Sequence, residues 1–209
     1  MNTQKAEARP TDTRERILAA AHEAVVAKGF DATSIDEIAA AVEISRAGFF
    51  YHFPDKNALA LALIERHAAF EDRLMTELME RSADLSDDPL QRLLIMVRLY
   101  ADKFAAMPEG YPGCIVASAA YQDRLFDAGV KAANRNAVLA WRTRLRALLE
   151  EVAAAYPPRE PVDLTALADM MNTIVEGGLV MSRALGEPQM IVGQMLLLRQ
   201  YLKLLFSPR

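Results

Sequence analysis

"SRAGFFYHFPDK", Ser45 to Lys56, places three phenylalanines, a tyrosine, a histidine and an arginine between residues 46 and 53. Ser45 is a helix cap. Pro54 closes the run, because the residue before a proline is pushed out of helical geometry. At 100° per residue, Phe49, Phe50 and Phe53 fall on one side, and Ala47, Gly48, Tyr51 and His52 on the other. A helix this short is not stable alone, so the aromatic side anchors it. The small residues on the other side leave its backbone free to approach something large. Arg46 falls nearer the aromatic side.

Upstream, helical periodicity covers residues 13–29, from a cap at Asp12 or Thr13 to a stop at Gly29, with Ile17, Leu18, Ala21 and Val25 on one face. A second helix spans 34–42 and opens with a capping box, Ser34 and Glu37. Only "EIS" separates it from the helix of 45–52. Two short helices joined so tightly form a helix-turn-helix, whose second member enters the DNA major groove. Tyr51 and His52 then have phosphates in reach.

Downstream the chain is helix after helix. A long one starts at Asp55. Another starts at Asp88-Pro89, with Leu90, Leu93, Leu94, Val97 and Phe104 buried. "MPEGYPG" is a loop and "CIVASAAYQDRLF" a short helix. Long helices follow to Pro157, and over "DLTALADMMNTIVEGGLVMSRALG" and "PQMIVGQMLLLRQYLKLLF". No strand alternation or repeat is present. The expected fold is all-α with about nine helices: a helix-turn-helix domain over 1–55 and a second helical domain over 56–209, to which the family resemblance described below assigns ligand binding and dimerisation.

Length and composition suit one or two ordinary domains: 209 residues, 52% hydrophobic and 25% charged. The lone Cys114 rules out an internal disulfide and fits a reducing cytoplasm. The first sixteen residues are polar and charged, so no secretory leader is expected. The apolar stretch Met190–Phe206 is short for a membrane span and carries Gln194, Arg199, Gln200 and Lys203. The three histidines (22, 52, 67) are scattered, and no metal-ligand spacing, nucleophile elbow or phosphate loop occurs. Neither a metal, a cofactor nor enzymatic activity is expected. The formal net charge is −4, and residues 1–56 hold seven Lys/Arg against nine Asp/Glu. A DNA reader built from them needs its bases segregated: Arg14, Arg16, Arg46 and Lys56 toward DNA, acids elsewhere.

The stretch "TRERILAAAHEAVVAKGFDATSIDEIAAAVEISRAGFFYHFPDKNAL" resembles the DNA-binding domain of the TetR family of bacterial transcriptional regulators, in register over about fifty residues. The resemblance implies a homodimer joined through the last two helices, a palindromic double-stranded operator, and a helical domain that binds a small-molecule inducer. It implies phosphate contacts from Thr33, Ser34, Tyr51, His52 and Lys56, and groove contacts from Arg46, Ala47 and Gly48. Ser45 and Arg14 belong to the same surface. Two positions depart from the family pattern. Glu43 stands where glycine is usual, so a positive φ is expected there. Phe50 stands where tyrosine is usual; it lacks the hydroxyl but still reaches a thymine methyl.

The last two helices are apolar almost all round, which requires burial on two sides. One side faces the chain's own core and the other a second copy, with Gly177 and Gly178 allowing close approach. For the inducer, the polar residues on or beside apolar faces are His67, Arg98, Tyr100, Asn134, Trp141, Asn172 and Glu176; a small apolar or aromatic compound is the expected occupant. Cys114 opens a helix after Gly113, where the dipole favours a thiolate. "GC" there, with "IERHAAF" upstream, resembles a TetR subgroup that senses electrophiles and oxidants. That raises Cys114 as an alternative switch, although Arg183 stands where that subgroup's cooperating lysine is expected.

Overall fold

The computed structural model describes residues 12–107 and 109–207. Among them are nine α-helices, one 3-10 turn and no strand: α1 Thr13–Ala32, α2 Ile35–Ala41, α3 Arg46–His52, α4 Lys56–Leu85, α5 Pro89–Ala105, α6 Ile115–Tyr121, α7 Ala128–Ala155, α8 Leu164–Leu185 and α9 Met190–Phe206. The all-α expectation holds. "CIVASAAYQDRLF" divides into α6 and the 3-10 turn Asp123–Leu125.

Side-chain caps set most starts. The carboxylate of Asp12 accepts from Arg14 N, Asp55 from Ala58 N, Asp88 from Gln91 N, Asp127 from Val130 N and Asp163 from Thr165 N. Each satisfies a donor that the first helical turn leaves unpaired. Left-handed glycines mark two ends. Gly29 (φ 85°) breaks α1, and Gly186 (φ 68°) caps α8. The turn between α2 and α3 uses Glu43 at φ 59°, the only positive-φ non-glycine among the described residues.

The chain divides into two compact units. One comprises Met1–His67, described from residue 12 onward, and Ile115–Asn134. Its buried side chains include Ile17, Leu18, Val25, Phe30, Ile38, Phe49, Phe53, Leu63 and Ile64. Here α6 packs on α1, and α2 packs between α1 and α3. Gln122 Oε1 accepts from the backbone N–H groups of Phe30 (2.7 Å) and Asp31 (3.3 Å), while the Phe126 ring meets Phe30 edge-on at 4.9 Å. A side chain distant in sequence thus completes the broken end of α1.

The other unit comprises Ala68–Cys114 and Arg135–Arg209. Its α9 lies against α5 and α8. Leu93, Leu94, Val97, Leu149, Leu167, Met171, Leu202 and Phe206 form the larger core; Ala101, Phe104, Ile191 and Met195 form a second. Of the glycine pair in α8, only Gly178 mediates a close approach within the chain. A Cβ there would stand 2.9 Å from Ile191 Cγ1, while one at Gly177 would meet nothing within 4 Å. Gly178→Ala is therefore expected to destabilise by about 1–3 kcal/mol through overpacking. Gly177→Ala is expected to leave a dilute monomer as stable or slightly more so. Urea midpoints of the two variants check the contrast.

Candidate nucleic-acid interface and ligand cluster

In α3, Phe49 and Phe53 are fully buried, with ring centroids 5.9 Å apart. They anchor the helix as its pattern requires. Phe50 does not join them: it is 38% exposed and meets Phe49 only edge-on. The outward arc is therefore Arg46, Ala47, Phe50 and Tyr51, each exposed, with Tyr51 at 86%. Positions i, i+1, i+4 and i+5 span about 140° of a helix, so Arg46 and Phe50 sit on the outer edge of the aromatic side rather than inside it. Arg46 lies over the Phe50 ring at 5.6 Å.

The caps of α2 and α3 are short and regular. Ser34 Oγ accepts from Glu37 N at 3.1 Å and Ser45 Oγ from Gly48 N at 3.0 Å. The Glu37 carboxylate takes the Lys28 ammonium first and the Ser34 backbone N–H as well, which together hold it below the usual carboxylate range. The capping box is complete. A Cβ at Gly48 would make only ordinary contact, 3.5 Å from Ile44 Cβ and Ser45 Oγ. Packing within the chain does not demand glycine at this place.

Four basic or polar side chains are engaged otherwise than their sequence positions suggest. Arg16 is half-buried and donates to the carbonyl of Val42, so it braces the end of α2 instead of facing outward. Thr33 is buried, with its hydroxyl donating to Gly29 O at 2.8 Å, because it closes the broken turn of α1. Lys56 Nζ donates to Phe30 O at 3.3 Å. Arg46 Nη1 pairs with both carboxylate oxygens of Asp36, at 2.9 and 2.8 Å. Such an exposed pair contributes little and is readily exchanged for another anion. Arg14 lies over the Phe53 ring at 5.2 Å, and the half-buried His52 meets Tyr51 edge-on.

The residues expected to hold a ligand separate. His67 is buried in the first unit; burial first, and then the nearby His22, push its pKa down to about 4. Asn134, in the same unit, donates from Nδ2 to Val116 O at 3.2 Å, while its Oδ1 is buried without a hydrogen-bond partner. Arg98 does not point inward. It is exposed and pairs with Asp102 at 2.9 Å, because the buried face of α5 runs through Leu94, Val97 and Ala101.

In the second unit, Tyr100, Cys114, Trp141 and Glu176 come together, and two residues the sequence reading passed over join them: Glu71 and Tyr111. Tyr100 stacks on Trp141 (6.1 Å, 19°) and contacts Phe104 (5.0 Å), which meets Tyr111 edge-on (5.7 Å). Cys114 donates its S–H to the Glu176 carboxylate. Glu71 is 8% exposed; burial first, and then the charge of Glu176, push its pKa up to about 7. Burial raises Glu176 too, and the Cys114 hydrogen bond partly offsets this. Tyr100 and Tyr111 are raised by burial first and by Glu71 among the nearby charges. Asn172 is half-buried one turn before Glu176. The signal for Glu71 was its place four residues after His67 on one helix, and for Tyr111 its place three before Cys114.

Among the described residues no His/Cys/Asp/Glu group is arranged to hold a metal, and no helix is long and apolar enough to cross a membrane.

Comparison with known proteins gives this geometry its setting. Residues 17–63 match the model for bacterial regulatory proteins of the tetR family, and residues 89–194 match the tetracyclin repressor-like C-terminal domain. The HTH-type transcriptional repressor NemR of Escherichia coli K12 is 32% identical over 69 residues, which are 33% of this chain and 35% of NemR. The match thus spans about a third of that relative's length. The transcriptional regulator AcuR of Cereibacter sphaeroides is 25% identical over 169 residues, 81% of this chain and 75% of AcuR. A crystal structure of a TetR regulatory protein from Rhodobacter sphaeroides superposes with a TM-score of 0.75 at 23% identity, covering 90% of this chain and 97% of that one. With a helix-turn-helix whose third helix turns an unpacked arc outward, and with family models matched in both halves, the chain belongs to the tetR family of bacterial regulators, which are DNA-binding transcription factors and not enzymes.

Proposed function

We propose that the protein is a cytoplasmic repressor that binds a palindromic operator as a homodimer and leaves it when a small molecule enters the second unit. The observation that carries the DNA half is the outward arc of α3, exposed side chains held on a buried Phe49–Phe53 anchor. In this reading Arg46, Ala47, Gly48 and Phe50 meet base edges. Ser34, Ser45, Tyr51, His52 and Lys56 meet phosphates, with Arg14 beside them, and Thr33 contributes through its backbone because its hydroxyl is engaged. Two readers occupy major grooves about one helical turn apart, ~34 Å.

The dimer half rests on two apolar stripes left open by the chain's own packing: Gly177, Met181 and Leu185 on α8, and Leu197, Tyr201 and Leu204 on α9. The ligand half rests on the cluster around Tyr100, Trp141, Cys114 and Glu176. Electrophile switching at Cys114 is the weaker reading. A thiolate there would face the Glu176 carboxylate at hydrogen-bonding range, and α6, with seven residues, offers only a short dipole against that repulsion.

The test begins with an operator selected from random duplexes. Arg46→Ala is expected to weaken that operator by about 1–3 kcal/mol and random DNA by less. Lys56→Ala is expected to weaken both alike and to lower the salt slope by about one. Equal losses on both DNAs for Arg46→Ala remove it as a base reader, and failure to enrich any duplex ends the proposal.

A further inference from the structure

One acid of the helix-turn-helix stands where its charge opposes DNA. Asp36 lies in the first turn of α2 and pairs with Arg46 at the start of α3, whose Nη1 is 2.9 Å from Oδ1 and 2.8 Å from Oδ2. The two side chains are 65% and 62% exposed, so the pair lies on the outer surface, with the exposed arc of Ala47, Phe50 and Tyr51 beside it. The neighbouring Glu37 is used differently. Its carboxylate takes the Lys28 ammonium and closes the capping box with Ser34, so the cap of α2 is complete without Asp36. Arg46 is held from a second side as well. Its guanidinium lies over the Phe50 ring, 5.6 Å from the centroid, and Phe50 meets the fully buried Phe49 edge-on at 5.7 Å. A long, flexible side chain is thereby fixed between a carboxylate on one helix and a ring on its own.

From this juxtaposition we propose that Asp36 is a positioning residue for DNA reading, which holds Arg46 so that its Nε–Nη2 edge meets a guanine in each half-site. The two carboxylate oxygens occupy Nη1, while Nε and Nη2 take no acceptor among the described residues. Nε and Nη2 direct two N–H groups side by side, the fork that suits paired acceptors. Guanine presents two acceptors, O6 and N7, in the major groove. Adenine offers one acceptor beside a donor there, thymine one acceptor and cytosine a donor, so each matches the edge at one point or none. The inference deepens the reading of Arg46 as a base contact and rests on that reading.

The carboxylate also discriminates by repulsion. An acid on the DNA-facing surface is unfavourable toward phosphates whatever the sequence. At a guanine the pair stays intact and Arg46 is satisfied on both edges. On other DNA the guanidinium gains a phosphate only by leaving Asp36, and the carboxylate then faces a polyanion without its cation. Specificity is built by penalty against the wrong sequence as well as by contact with the right one. In water an exposed pair of this kind is weak. In a groove from which water is displaced, the lower dielectric strengthens it. Removing the carboxylate therefore has two effects of opposite sign. Random DNA binds more tightly, because a repelling charge is gone and Arg46 turns to a phosphate, while the preference for guanine falls.

The experiment uses the full chain and the duplex enriched from random sequences, with each half-site position replaced in turn by the other three bases and binding read by anisotropy. Arg46→Ala identifies the position that Arg46 reads, as the one where base preference is lost. There the native protein is expected to prefer guanine by about tenfold or more. Asp36→Ala is expected to lower that preference by about threefold or more, at this position alone. The same variant is expected to tighten random DNA by about threefold and to steepen its salt slope by about one. Asp36→Glu, which keeps the charge on a longer arm, should retain part of the preference. In an Arg46→Ala background, Asp36→Ala should change no base preference, because the two residues act as one. Thermal unfolding by circular dichroism is recorded alongside. A merely structural Asp36 would lower the unfolding midpoint and weaken all DNAs alike with base preferences kept, and that result overturns the assignment. So does a preferred base other than guanine at the Arg46 position. If Arg46→Ala relaxes one position and Asp36→Ala relaxes none, Arg46 stands as a base reader and the positioning role falls. If Arg46→Ala weakens all DNAs alike, both readings fall.

Discussion

Leu204→Glu is expected to give a folded monomer with operator affinity lowered by about two to four orders of magnitude, while Leu202→Glu, two residues earlier, is expected not to fold. The two leucines face opposite ways on α9. Leu202 is 0% exposed in the larger core of the second unit, so a glutamate there is a buried, unpaired charge. That costs about 3–5 kcal/mol, a large part of a domain's whole stability. Leu204 is 64% exposed and shares a stripe with Leu197 and Tyr201 at helical spacing. A surface change of this kind moves monomer stability by about 0.5 kcal/mol or less. In a two-fold interface each substitution occurs twice, and the new charge lies in the patch that must become dry. In the proposed homodimer, losing the interface then costs the second reader, whose effective concentration at its half-site would make the operator tight. Sedimentation, circular dichroism and anisotropy on the two variants read mass, fold and DNA binding separately. A Leu204→Glu protein that remains a dimer moves the interface off this stripe. Leu198, 4% exposed, belongs with Leu202 and not with the stripe.

The second large effect is a pair of opposed pH dependences. His67 is held neutral in the folded chain to about pH 4, by burial and then by His22, against 6.5 for the free side chain. The unfolded chain takes up that proton first, so stability present above pH 6.5 is lost as pH falls toward 4. A difference of this size is worth about 3 kcal/mol. Glu71 runs the other way. It stays protonated to about 7 against 4.5 when free, so the unfolded chain ionises first and stability is lost as pH rises from 4.5 through 7. That loss is again about 3 kcal/mol. In a cooperative transition the two nearly cancel. Urea titrations of the native protein between pH 4 and 8 should therefore show only the slope of the ordinary carboxylates. His67→Met should reveal a fall in stability with rising pH, and Glu71→Gln a rise. Comparing each variant with the native protein removes the contribution of the ordinary carboxylates. Parallel profiles for all three proteins would mean that neither group is as buried on folding as its surroundings indicate.

The helices themselves were legible in the sequence because their determinants are local. Asp12, Ser34, Ser45, Asp88 and Gly186 act within a few residues of the ends they mark, and Pro54 acts on its neighbour. The helix-turn-helix was legible for the same reason: "EIS" leaves too little chain for any other connection, and Glu43 takes the positive φ expected there. The buried faces of α1 and α5 followed from spacing alone.

What only the tertiary structure decided is where a helix with two candidate faces turns each of them. On α3 the wheel put Phe50 among the anchors, yet Phe49 and Phe53 fill the space beneath and Phe50 is left outside. On α9 Leu198 and Leu202 read no differently from Leu197 and Leu204, and only packing against α5 and α8 separates core from stripe. Arg16 and Thr33 looked available because their partners, the carbonyls of Val42 and Gly29, are backbone atoms with no letter in the sequence. Glu71 escaped notice because one acid on a long helix is usually solvated. It becomes distinctive only when α8 brings Glu176 near it and α5 brings Tyr100 near both. Local periodicity and capping are functions of near neighbours in the chain. Burial, charge pairing and the choice between two apolar faces depend on residues a hundred positions away, and those are brought close only by the fold.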